Sequence, residues 1–390
     1  EDTFAVQDEI SEGIAAALHQ TLKRAAGKTI DPAAYDLYLR ATPHSYAPDE
    51  LRSNIALLEQ AVQRAPQFTE AWGRLAHLRA FLSSSEPYAN RAATGERIKE
   101  EVRQALGADP QNMSALIATA FIVPPFGRFA EHYAAVERMW QLPDSVGARL
   151  WTGYFARPMG FIRRSLEDAE RAFALDPLST MAGNLLSLAR MAAGKFDGVV
   201  AMYEDLVRRA PDMHYAVSNL MRAYAFQGNW EGFDRLLDPA AKRPLRELED
   251  GVLFLRTKRD PSAENVGQMR QRLLSRYEQT GGVEVSSLVY AAHVGLREEV
   301  FHLADVARLG PRGASDDIIG VDAYRTGLLF WKDLPEIRND VRFVRLCARL
   351  GLVAFWLSSG KWPDCADTTP YDFRAECEKA RGVKVEPFVF

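Results

Sequence analysis

The sequence predicts an all-α protein: a right-handed superhelix of paired helices, closed by a C-terminal helical cap and an irregular tail. Three observations predict it. Five prolines, Pro66, Pro110, Pro143, Pro177 and Pro211, recur at steps of 44, 33, 34 and 34 residues, and about 34 residues is the length of one helix–turn–helix unit. Apolar, small and turn residues recur at matching offsets around them. No stretch alternates in the manner of a strand. A unit of this size cannot bury its apolar face alone, so neighbours stack and the stack curves into a solenoid with a concave side.

The elements follow in order. Residues 4–26 place Phe4, Ile10, Ile14 and Leu18 on one stripe, an amphipathic helix that caps the stack within residues 1–30. Asp31 and Pro32 open the next helix, the acid as its cap and the proline in the first helical position, where no N–H is needed. Residues 48–65 complete the first pair, and four or five pairs follow to about 238. The 44-residue step implies a longer helix or loop within 83–96. Pro124 and Pro125 shorten the first helix of the block from 110 to 143. Residues 238–244 (DPAAKRP) form a polar break and a candidate hinge. Helices resume at 245–257, 262–279, 284–294 and 297–309, the last two turned by Gly295, and residues 310–315 form a loop. The repeats therefore span 31–310. Residues 311–390 form the cap and tail, with a final helix over 340–358.

The residues around each proline have physical reasons. Before Pro66 runs LEQAVQRA, and Trp72, Leu75 and Ala76 follow it. Between Pro177 and Pro211 stand Leu186, Gly194, Phe196 and Tyr203; the next block repeats the offsets with Leu220, Gly228 and Trp230, and adds Tyr224. Small residues let two helices approach, glycine closes the first helix, and proline ends the second. This spacing resembles the tetratricopeptide (TPR) repeat. That resemblance implies a scaffold whose inner face holds another molecule.

Both ends of the chain add a narrower resemblance. FAVQDEISEGIAAAL (4–18) followed by AYDLYLRA (34–41) is similar to a bacterial family in which a TPR region follows a TolB-like domain. Such proteins are winged-helix transcription regulators or class III nucleotide (adenylate) cyclases. At the far end, residues 339–365 match through Arg342, Phe343, Leu350, Gly351, Leu352, Trp356, Gly360, Trp362, Pro363 and Asp364. Cys365 directly follows Asp364, where that family often has an intervening residue. No winged helix, cyclase core or TolB-like domain is present. The resemblance therefore implies a sensory or scaffolding module of a signalling protein, with any membrane tether outside this chain.

Composition narrows the class. Charged residues make up 26% and apolar ones 47%, within the range of globular domains. The net charge of −4 argues against a general nucleic-acid surface, so no direct nucleic-acid binding is expected. No apolar run reaches 18 residues and no signal peptide opens the chain, which begins at Glu1.

Catalytic signatures are absent. There is no HExxH, G-x-S-x-G, P-loop lysine motif or G-x-G-x-x-G. Neither catalysis nor a cofactor is expected. Glu298, His302 and Asp305 share one helical face, a conceivable metal site that reads more simply as a solvated face. Asp316 and Asp317 fit a helix cap better than an acid–base pair. The three cysteines, Cys347, Cys365 and Cys377, lack C-x-x-C spacing. Cys347 reads as a buried thiol. A disulfide between Cys365 and Cys377 would staple the tail and place the chain in the periplasm; two free thiols would fit the cytoplasm instead.

The repeat register assigns the concave groove to His77, Phe81, Phe121, Tyr154, Arg157, Asn184, Leu188, Met191, Ser218, Arg222 and Phe226. Aromatic and methionine side chains would grip a peptide's apolar groups, and the arginines would take a carboxylate. The expected partner is a protein or peptide. The alternative is a metabolite sensor coupled to an effector domain. The apolar end VEPFVF (385–390) is expected to plug the groove or to pair two copies as a homodimer. One measurement addresses the cysteines. Titrating thiols in unfolded, unreduced protein gives one free thiol if Cys365 and Cys377 are bonded; three exclude the bond.

Overall fold

The computed structural model describes residues 30–43, 46–83, 91–123, 127–211, 213–238, 249–310 and 326–385. The expected N-terminal helix, most of the hinge, the loop at 311–315, the pair Asp316 and Asp317, and residues 386–390 lie outside them. Twelve helices form six pairs: α1 (Pro32–Arg40) with α2 (Pro48–Arg64), α3 (Thr69–Ser83) with α4 (Arg91–Ala108), α5 (Met113–Ile122) with α6 (Phe129–Trp140), α7 (Val146–Ala156) with α8 (Ile162–Leu175), α9 (Thr180–Ala192) with α10 (Val199–Arg209), and α11 (His214–Phe226) with α12 (Trp230–Leu237). The first helix of each later pair also touches the first helix of the next, α3 to α5, then α7, α9 and α11. This progression makes the chain a right-handed solenoid of TPR type.

The proline rhythm is a capping rhythm. Each of the five prolines lies two or three residues beyond a helix end. Two residues after three of them a side chain caps the next helix. Asn112 Oδ1 accepts from Ala115 N–H, Ser145 Oγ from Ala148 N–H and Ser179 Oγ from Ala182 N–H. A helix is thus stopped and the following one started within five residues, and each such cap contributes about 1 kcal/mol. Asp31 caps α1 with Pro32 in the first position, as the sequence predicts.

Beyond the solenoid lie α13 (Glu249–Arg259), α14 (Ala263–Thr280), α15 (Val285–His293) and α16 (Arg297–Val306). Two three-residue strands, β1 (Gly282–Glu284) and β2 (Arg308–Gly310), pair in parallel there. Alternation cannot show in three residues, so no sequence pattern announces them. The cap holds α17 (Phe343–Arg349), α18 (Leu352–Ser359) and α19 (Phe373–Lys379).

The single helix expected over 340–358 is two. Gly351 breaks it at φ +88°, and a β-carbon there would lie 2.9 Å from Gly127 Cα. Gly127 N–H donates to Leu350 O. The cap crosses the edge of the stack at further points. Trp356 Nε1 donates to Met159 O, Lys332 N–H to Ala192 O, and Asp364 N–H to Gly160 O. Asp364 also accepts from Arg163, at its backbone N–H and at Nε. One continuous apolar core consequently runs from Leu116 to Cys377.

Within that core the three cysteines are free, buried thiols, so of the two alternatives for Cys365 and Cys377 this structure has the unbonded one. Burial pushes the thiols of Cys365 and Cys377 up to about 12.

Two predictions follow from the packing. Gly160 stands at φ +87°, and a β-carbon on it would meet Pro363 at 2.5 Å. Gly160→Ala is expected to cost more than about 3 kcal/mol, because left-handed strain of roughly 1–2 kcal/mol adds to the clash. Gly198→Ala, at φ +73° with open space around it, costs the strain alone. Equal losses for the two in denaturant melts would contradict the docking of the cap. The other prediction concerns buried histidines. His132 Nδ1 faces the carbonyls of Ala120 and Val123 at 3.2 and 3.1 Å and so carries the proton, while burial holds the ring's pKa near 4. Its folded value lies below the unfolded value of about 6.5. Its contribution is therefore complete above pH 6.5 and disappears as pH falls toward 4, by roughly 3 kcal/mol. His132→Gln should flatten that part of the stability profile between pH 7 and 4.5; an unchanged slope would refute the assignment.

Candidate functional site

The inner face is built from α3, α5, α7, α9 and α11 and the turn after α7. The structure brings the eleven expected residues onto two levels. Phe81, Phe121, Tyr154, Leu188, Arg222 and Phe226 stay partly exposed. His77, Arg157, Asn184, Ser218 and Met191 form a buried floor, with Met191 wholly inside the core.

Toward the N-terminal half the face is aromatic. Phe81 and Phe121 meet edge-on with ring centres 5.7 Å apart, and His77 meets Trp151 at 5.0 Å. Phe121 lies 6.3 Å from Tyr154. Two residues central to this cluster were not foreseen. Trp151 precedes Tyr154 by three positions on α7 and so shares its face, a signal the spacing did carry. Tyr46 comes from the loop before α2, at φ +56°, and lies 5.0 Å from Phe81 and 6.2 Å from Trp151. No local pattern points to it. Burial and the nearby Arg74 charge keep His77 neutral, with its pKa near 3, and its Nε2 has no hydrogen-bond partner.

Toward the C-terminal half the face turns polar. Tyr203 OH donates to Asn184 O at 3.4 Å, Asn219 Nδ2 donates to Asn184 Oδ1, and Arg222 Nη1 donates to Asn219 Oδ1 at 2.9 Å. The Arg157 guanidinium lies 5.1 Å from the centre of the Tyr154 ring. Phe226 closes this end, stacked on Phe196 and set 6.1 Å from Trp331 of the cap. Beside it, Lys258 Nζ reaches His293 Nε2 at 3.2 Å, and His293 Nδ1 meets Glu336 Oε2 at 3.0 Å. These three are far apart in sequence, which hid the cluster.

The other candidates resolve differently. Glu298 takes both Nη groups of Arg342 at 2.8 Å, and Asp305 pairs with Arg345 at 2.6 Å. The acids of that helical face thus tie α16 to the cap. Among the described residues no group of three His, Cys, Asp or Glu is placed to hold a metal. An open cleft of about 770 Å³ lies on the turn edge between Gln67, Glu70, Asp109, Asn112 and Asp144. No inner-face residue lines it, and Asp144 is already bonded to Arg149 and Arg171.

No family model and no curated protein matches the chain. The narrower resemblance to bacterial regulators thus has no matching model; the coarser TPR-type architecture stands. Among solved structures, the chain is similar to a human IFIT1 dimer with PPP-AAAA, at 16% identity and a TM-score of 0.40 over 66% of this chain and 69% of that one. A monomeric IFIT1 mutant with Gppp-AAAA gives 14% identity and 0.41 over 75% and 69%. A human IFIT1 dimer with m7Gppp-AAAA gives 15% and 0.41 over 85% and 68%. Likeness at this level assigns no ligand to this chain, but it overturns the exclusion of nucleic acid as a partner. The physical error lay in using net charge: −4 is a sum over the whole surface, whereas a phosphate meets only the few side chains around it.

Proposed function

We propose that the chain is a non-catalytic binding scaffold that holds an apolar segment of a partner protein along its inner face. One observation carries this. Phe81, Phe121 and Tyr154 stay partly exposed above a floor that already buries His77 and Arg157. Aromatic rings held rigid by their neighbours offer large contact area with little entropy left to lose on binding. The resemblance at both chain ends supports a place in a signalling or transcription regulator, where the held segment would set the state of an effector domain.

A selection from a random peptide library tests it. Peptides enriched on the intact chain are expected to bind at least about tenfold more weakly to Phe121→Ala and Tyr154→Ala, the loss typical of an interface anchor. Binding unchanged in both variants, or no enrichment over an unrelated helical protein, would remove the proposal. A metabolite-sensing role draws on a different observation, the state of Arg157.

A further inference from the structure

Three arginines are buried among the described residues: Arg79, Arg157 and Arg338. Two of them are compensated. Arg79 pairs with Glu101 at 2.9 Å and with Glu59 at 2.8 Å. Arg338 Nη1 donates to the carbonyls of Leu329, Trp331 and Leu334. Arg157 has neither kind of partner. Its Nε is buried without an acceptor, and among the described residues the titratable groups that bear on it are the neutral phenols of Tyr154 and Tyr203, with no carboxylate. A ring face at 5.1 Å is a weak substitute for a counter-charge. Taking a cation out of water is costly unless a counter-charge answers it.

Gly327 packs against the base of the Arg157 side chain: a β-carbon on it would lie 3.4 Å from Arg157 Cβ, in ordinary van der Waals contact. The adjoining Thr326 is fully buried with its hydroxyl unpartnered. Arg157 therefore sits between the aromatic half of the inner face and the 3-10 turn of the cap at 326–330, a segment that carries another buried group lacking a bond. A guanidinium is a planar fork matched to two oxygens of one anion.

We infer that Arg157 anchors a buried site for the oxyanion group of a small organic acid, a carboxylate or a phosphate monoester whose apolar body packs on Tyr154 and Phe121. Its fork meets two oxygens of the anion. The inference deepens the metabolite-sensing role and stands apart from the partner-segment proposal, since it needs no peptide.

Thermal unfolding of the full chain tests it, with benzoate, phenyl phosphate, acetate and inorganic phosphate at constant ionic strength set by chloride. The melting temperature of the native sequence should rise with the logarithm of benzoate or phenyl phosphate concentration; which of the two acts separates carboxylate from phosphate. Acetate and inorganic phosphate lack the apolar body and should act only at higher concentration. Arg157→Met keeps the stem and removes the charge. It should abolish the response while melting, without anion, no lower than the native sequence. Arg157→Lys keeps the charge without the fork and should weaken the apparent affinity at least about tenfold. A native chain that responds to the oxyanions no more than to chloride would overturn the inference, whatever the variants do. So would a full response in Arg157→Met, or, should that variant not fold, an unchanged affinity in Arg157→Lys. A Met variant that melts lower, in a chain blind to oxyanions, would make Arg157 a structural residue. Peptides selected on the inner face that still bind Arg157→Met would leave the partner proposal intact while the oxyanion site failed.

Discussion

A helix pair of this chain leaves one apolar face that only the next pair can cover. Everything else depends on that incompleteness. It forces α3, α5, α7, α9 and α11 into register along one side, and it fixes which side chains line the inner curve. Small residues at the contacts set how closely the layers approach. Gly153 is one example: a β-carbon there would lie 3.1 Å from Ser165 O. Because each layer touches mainly its neighbours, stability accumulates step by step along the stack.

Polar groups lock the layers where apolar packing alone would let them slide. Asp168, on α8 and almost fully buried, accepts from Trp140 Nε1, Arg149 Nη1, Thr152 Oγ1 and Arg164 Nε. Those donors come from α6, α7 and α8 itself, so one carboxylate fixes two consecutive pairs against each other. A buried acid with four donors is satisfied and specific at once. The cap adds a second lock of a different kind. It joins turns near Gly127, Met159, Gly160 and Ala192, and in doing so it closes part of the concave side that a free solenoid would leave open. The inner face is therefore a partly filled one, with its aromatics braced against each other rather than lining an empty trough.

This filling changes what the expected groove residues do. Met191 packs in the core, and His77, Asn184 and Ser218 lie beneath the accessible strip. The ring of His77 is pressed between Tyr46 and Trp151, which explains both its neutrality and its service as support for Phe121. His77 Nε2, Arg157 Nε and Ser218 Oγ are buried here without partners, and such groups mark places where structure has been shaped for something besides stability.

The sequence by itself determined the solenoid, the pair boundaries and the inner helices, because those follow from signals a few residues long. Pro110 with Asn112, Pro143 with Ser145 and Pro177 with Ser179 stop one helix and cap the next without help from distant parts. The same locality let repeat spacing assign residues of α3 to α11 to the inner face, though Met191 among them packs in the core. Tertiary structure alone decided the break at Gly351, the small parallel ladder, the unbonded cysteines, the place of Tyr46 and the isolation of Arg157. Each depends on what another segment, from tens to about two hundred residues away, brings against it. A guanidinium's partners are set by which side chains arrive within a few ångströms, and periodicity within one helix holds no record of them.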